Sequence, residues 1–235
     1  MSYNKAKLFT CAALGTLMLS GTLSPAQATI KSDAVWMGDS GVISYEQTKN
    51  IYNIAHHGEH NNAKQAQEFV QNMGADAIAF LSDNSLDEGA KQKRFATMLD
   101  QNFDMQTIGR FVLGRYWKQY TPEQQAEYQK HFRSMIVSIY SDRLEEYDNQ
   151  NFEVTGADKT KDDEYTVNSN IVSETGQTIP VAWKVRDKDG SFKIIDVSVE
   201  NVSMAITKRN EFSSIIQSNG GNPAALLDHM KAKAK

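Results

Sequence analysis

Apolar side chains along this chain recur first at helical spacing, then in strict alternation, then at helical spacing again. Over residues 62–81 the positions Ala66, Phe69, Val70, Met73, Ala77, Ile78 and Leu81 follow a helical period, which Gly74 weakens without breaking. Residues 82–87 read as a turn. A second helix is expected over 88–103, with Phe95, Met98, Leu99 and Phe103 on one side, and a third over 105–113. The best-marked helix opens at Thr121-Pro122-Glu123-Gln124. Thr121 is placed as N-cap, Pro122 takes the first helical position, where a missing N–H is no loss, and Gln124 completes a capping box. Its apolar face, Tyr128, Phe132, Met135, Ile136, Ile139, Tyr140, Leu144 and Tyr147, is large and aromatic for one helix.

After Asn151 the period falls to two, the mark of half-buried strands. Phe152 and Val154 begin a first strand, and Tyr165, Val167, Ser169 and Ile171 a second. In the third, Ile179, Val181, Trp183 and Val185 alternate with Pro180, Ala182, Lys184 and Arg186, and residues 187–190 form a hairpin turn. The fourth starts with Phe192 and Ile194 inward but continues with Ile195, Val197 and Val199 in the opposite phase, which predicts a β-bulge at Ile194 and Ile195 and a bent sheet. A helix over 205–218, stopped by Gly220 and Gly221, and a short one from Asn222-Pro223 follow. Helices, then strands, then helices indicate an α+β fold with a curved four-stranded antiparallel sheet.

The first residues change the picture by setting the compartment. Lys5 and Lys7, the apolar run 8–19 and Ala26-Gln27-Ala28 fit a secretory signal over 1–28, cleaved near Ala28. The run is short and interrupted for a membrane span, and Thr10 before Cys11 argues against a lipid-attachment box. Cleavage leaves 235 − 28 = 207 residues, divided into an extension over 29–62 and a domain over 63–235. It also removes Cys11, the sole cysteine, so apolar burial rather than disulfides must hold the mature chain together. The net charge of −4 becomes −6 without Lys5 and Lys7, which disfavours nucleic acid and anionic membrane surfaces as direct partners. A monomer is expected.

Candidate chemistry is sparse. His56, Glu59 and His60 have the H-x-x-E-H spacing of some zinc peptidases, and a metal-dependent hydrolase would rest on them. Gly58 lies inside the motif and no apolar stripe flanks it, so solvated histidines are the plainer reading. No Gly-x-Ser-x-Gly elbow, no phosphate-cradling glycine loop and no thiol surviving cleavage are present. Asp196, between inward-facing Ile195 and Val197, is expected to point away from any pocket and make a structural bond. No catalytic or metal-binding residue and no cofactor is therefore assigned. Val181, Trp183, Val185, Val197 and Val199 on the concave face, under a helix bearing Phe132, Met135, Ile136 and Ile139, can close into a core or leave a cleft; most such stripes are core.

Several motifs in series carry a resemblance: Phe111-Val112-Leu113-Gly114-Arg115-Tyr116-Trp117, then Thr121-Pro122-Glu123-Gln124, Ile179-Pro180-Val181, Phe192-Lys193-Ile194-Ile195-Asp196-Val197, Glu200-Asn201-Val202-Ser203 and Phe212 to Gly220. From about Ala63 to Met230 the chain resembles the MlaC family, also described as toluene-tolerance auxiliary proteins. The resemblance implies a periplasmic phospholipid-binding component of an ABC-type transport system that maintains outer-membrane asymmetry. It implies transfer between an outer-membrane lipoprotein–porin complex and an inner-membrane complex of an MCE-domain protein and an ATPase, with ATP hydrolysis in the partner. It also implies a lipid pocket between sheet and helices. The expected walls are Trp117, Phe132, Met135, Ile136, Ile139, Tyr147, Val167, Val181, Trp183, Val185, Val197, Val199, Phe212 and Ile216. A carrier of a hopanoid, sterol or aromatic solvent would use the same architecture. The segment 29–62, with its histidines, departs from the family pattern.

Overall fold

The computed structural model describes residues 45–141 and 149–233, with side chains over 62–141 and 149–231. The expected signal over 1–28 lies outside the described residues. Residues 58–235 pack as one unit. Helix α1, Tyr45–Leu81, is longer than the pattern over 62–81 predicts and runs through the expected boundary at 62/63. No proline interrupts 45–61, so nothing in the backbone obliges the helix to start later.

Helices α2, Glu88–Asn102, and α3, Met105–Leu113, are each opened by an aspartate. The Asp87 carboxylate accepts from Ala90 N at 2.7 Å and that of Asp104 from Thr107 N at 2.9 Å, satisfying donors that a helix start otherwise leaves open. A 3-10 helix, Gly114–Gln119, leads to α4, Pro122–Ser141. The capping box closes in both directions: Thr121 N donates to Gln124 Oε1 at 3.0 Å, and Gln124 N to Thr121 Oγ1 at 3.3 Å.

The sheet is an antiparallel meander in sequence order: β1, Asn151–Lys161; β2, Glu164–Val172; β3, Thr178–Lys188; β4, Ser191–Val199; β5, Val202–Ser203. It has five strands rather than the four expected. Glu200 and Asn201 turn the chain at φ 51° and 66°, and pairing resumes only for Val199 with Val202 and Ser198 with Ser203. Two residues are too few to show alternation. The bulge falls where the phase change predicts it. Lys184 faces Asp196 and Val185 faces Ile194, so Ile195 is the extra residue, and both Ile194 and Val197 keep their side chains on the inner face.

Helices α5, Met204–Ser218, and α6, Ala224–Lys233, complete the chain. Asp196 ties β4 to the start of α5: its Oδ1 accepts from Val197 N at 2.8 Å and Ala205 N at 3.1 Å, its Oδ2 from Ser203 Oγ at 2.5 Å. Ser203 Oγ in turn accepts from Ile206 N. The expected structural role for this carboxylate is what the geometry shows.

On the outer sheet face, Glu164 is held by Arg186 at 2.7 Å and Lys184 at 2.8 Å. Burial alone would raise its pKa, but the two cations outweigh that and hold the carboxyl below its ordinary range.

Candidate functional site

Two separate apolar cores occupy the interior. In the first, among α3, the 3-10 helix, α4, α5 and α6, Tyr128 is central. Its ring stacks on Phe132 at 5.8 Å and meets Phe212 and Trp117 edge-on, each at 6.3 Å. Its hydroxyl donates to Gly109 O at 2.9 Å. At Gly109 the Gln129 amide packs close to the backbone: a Cβ there would lie 2.4 Å from Gln129 Oε1, so the amide would have to move aside. Phe132, Phe212 and Ile216, expected as pocket wall, are 1%, 2% and 0% exposed, so neighbouring side chains leave them no free surface.

The second core lies between the inner sheet face and α1. Ala66, Val70 and Met73 pack with Tyr165, Val167, Val185 and Ile194. The expectation that α4 covers this face is corrected here, because the cover over Val167 and Val185 is α1. Two small residues allow it: Ala66, fully buried, and Gly74, where an added Cβ would lie 2.3 Å from the Phe152 ring. The helical spacing of Ala66, Val70 and Met73 was the available signal, but periodicity names a face and not its partner. Val181 is also buried, at 4% exposure.

The other expected wall residues behave differently. Trp117, Met135, Ile136 and Ile139 on the helical side, and Trp183, Val197 and Val199 on the sheet, all stay half-buried. Trp117, Met135 and Ile136 pack on the helical core, whereas Trp183 and Val197 pack on the sheet core. Tyr147 lies outside the described residues, as do the side chains of His56, Glu59 and His60. Among the described residues no three His, Cys, Asp or Glu side chains gather to hold a metal. No helix among them is long and apolar enough to cross a membrane.

A cleft of about 830 Å³ opens where α2, α3 and α4 meet. Phe103 on its wall belongs to the rim of the sheet core, and Met105 and Trp117 to that of the helical core, so the cleft sits on the seam between the two. Sequence reading missed it, because Asp100, Lys130, Arg133 and Lys193 come from three elements and share no motif. Arg133 grips Asp100 through two bonds of 2.6 Å, and this hydrogen bonding holds the Asp100 carboxyl below its usual range. Lys193 Nζ donates to Gln101 O.

Helices packed around an antiparallel meander, with two apolar cores meeting at a cleft, define an α+β protein of a type already solved. The phospholipid-binding protein from Ralstonia solanacearum, in complex with a phospholipid, shares this fold at a TM-score of 0.63 and 22% identity, over 72% of this chain and 96% of that one. A family model described as MlaC protein matches residues 62–232, and the chain belongs to the MlaC family. Two curated relatives are each 25% identical to it. Toluene tolerance protein ttg2D of Pseudomonas putida aligns over 114 residues, 48% of this chain and 53% of that protein. The intermembrane phospholipid transport system binding protein MlaC of Haemophilus influenzae aligns over 122 residues, 50% and 56%. The matched part thus spans about half the length of these relatives.

Proposed function

We propose that this chain is a periplasmic phospholipid carrier without enzymatic activity of its own. It shelters acyl chains between sheet and helices and shuttles lipid between an outer-membrane lipoprotein–porin complex and an inner-membrane MCE-domain and ATPase complex, helping to keep the outer membrane asymmetric. Family membership supports the reading, as do the naming of one relative for intermembrane phospholipid transport and the phospholipid held by the Ralstonia protein of like fold.

The observation that carries it is the set of large apolar residues left half-buried on inward faces: Met135, Ile136 and Ile139 on α4, and Trp183, Val197 and Val199 on the sheet. Apolar surface that a protein of this size leaves uncovered in its interior is available to hydrocarbon. The requirement is large. Each methylene removed from a bilayer costs about 0.8 kcal/mol, so roughly 30 methylenes in water represent on the order of 20 kcal/mol. The carrier must cover nearly the whole of both tails, and these half-buried residues supply apolar surface for doing so.

Native mass spectrometry of the purified mature protein, followed by organic extraction, tests the reading directly. Wild type should carry phospholipid, and Ile139→Gln should carry several-fold less while melting as one cooperative unit. A folded protein that extracts clean, or one loaded with a different apolar compound, overturns the assignment.

A further inference from the structure

Among the described residues three large apolar side chains stand exposed: Phe111 at 42%, Val202 at 48% and Ile206 at 52%. The fold joins them. Helix α3 packs on α5, and Arg209, one turn along α5 from Ile206, lays its guanidinium 5.0 Å over the Phe111 ring. Val202 directly precedes Ser203, the cap of that same helix. Single exposed apolar residues need no explanation, but neighbouring ones on one face mark an interaction surface.

The charge on this face is cationic. Arg209 is half-buried between the Phe111 ring and the backbone of Gly114, where a Cβ would lie 3.0 Å from its Nε. Arg110 and Arg115, next in the chain to Phe111 and Gly114, are exposed and also lie on rings, that of Trp117 at 6.0 Å and that of Tyr116 at 4.9 Å. None of the three arginines makes an ion pair among the described residues. Most carboxylates of the same elements are occupied: Asp104 caps α3, Asp196 accepts from Ala205 N, and Glu211 takes Lys208 at 2.6 Å. Glu200, on the turn before β5, is exposed. The local balance is positive in a chain whose formal net charge is −4.

We infer that this face receives an acidic segment of a partner protein, whose carboxylates pair with Arg209 and its neighbours while its apolar side chains cover Phe111 and Ile206. A guanidinium held on a ring loses little freedom when a carboxylate arrives, and its planar fork suits two parallel bonds. Arginine and aromatic anchors of this kind carry most of the binding energy at protein interfaces. A second copy of the chain does not fit, because a two-fold contact would set the same arginines against one another. An anionic bilayer rewards a polybasic cluster, whereas this chain is negative as a whole. Phe111, Val202, Ile206 and Arg209 are not among the expected lipid walls, so the inference does not rest on the carrier reading.

The test places p-benzoylphenylalanine at Ile206 of the full chain, irradiates the living cells that produce it, and maps the adducts by mass spectrometry. The crosslink should fall on a segment of another protein with net negative charge. Arg209→Gln should weaken it about fivefold, the weight of a moderate interface contact. Phe111→Ser, at an exposed position, should give the same loss and serves if Arg209→Gln folds poorly. An adduct to phospholipid, to a second copy of the chain, or to a neutral or basic segment overturns the inference, as does unchanged yield in both variants or no adduct at all. In a second arm, purified protein is titrated with the mapped segment as a synthetic peptide. Binding should vanish when its carboxylates are exchanged for amides, and binding that survives the exchange overturns the charge pairing. Lipid content measured on the same samples should be unchanged by either substitution; wild type that carries no lipid overturns the carrier reading and leaves this surface standing.

Discussion

The indole Nε1 of Trp183 donates to the Ser169 hydroxyl at 2.9 Å, and that hydroxyl donates onward to Val181 O at 3.1 Å. Ser169 is a polar residue on the otherwise apolar inner sheet face, 2% exposed, and both roles of its oxygen are used. The Trp183 ring, edge-on to Phe152 at 6.0 Å, is thereby fixed in place.

Removing the hydroxyl should show both effects. Ser169→Ala leaves the indole N–H unpaired and is expected to lower stability by about 1–3 kcal/mol. The midpoint of urea unfolding should fall with its slope unchanged, and Trp emission should change in folded protein. An unaltered midpoint would mean that the indole does not depend on Ser169.

At Gly74 helix propensity and packing point in opposite directions. In an open helix Gly→Ala gains about 1 kcal/mol. Here the new methyl would meet the Phe152 ring at 2.3 Å, and Phe152 lies on the rim of the sheet core. Overpacking of this kind costs about 1–3 kcal/mol, so Gly74→Ala should destabilise. A melting temperature at or above wild type would show that β1 yields freely.

Asp196 serves three donors at the junction of β4 and α5. Asp196→Ala removes all three acceptor contacts and loosens the first turn of α5, for an expected loss of about 2–3 kcal/mol. Hydrogen exchange should accelerate first at Ala205 and Ile206. Protection that remains at wild-type level would contradict this assignment.

Tyr120 donates its hydroxyl to Pro223 O at 2.6 Å, fastening the start of α6. Burial, aided by Asp228 and Glu127, pushes its pKa up to about 12. A folded pKa raised above the unfolded value near 10 contributes stability that is complete below pH ~10 and is lost as pH climbs through about 12. Tyr120→Phe should lose about 1 kcal/mol at neutral pH and show a shallower loss of stability between pH 10 and about 12. Denaturant midpoints across that range check it; parallel curves for variant and wild type would rule it out.

Much of this molecule was legible from local chemistry. Capping at Thr121 and Gln124, the bulge at Ile195 and the meander depend on residues close in the chain, where spacing and backbone preference suffice. The fifth strand was not legible, because two residues carry no period. The extension of α1 back to Tyr45 was not legible either, because a weakly patterned stretch that holds Gly58 and no proline gives no start signal.

The wall residues divide along the same line. Apolar character at Phe132, Phe212, Val167 and Val185 follows from the sequence alone, since an alternating or helical stripe must be buried somewhere. Which of them fill a core, and which stay half-open as Ile139 and Val199 do, was decided only when α1 and not α4 came to rest on the sheet. Burial is a property of two surfaces. A sequence displays each surface separately, and only the folded chain brings Ala66 against Val167, or sets Lys130 and Lys193 on one rim.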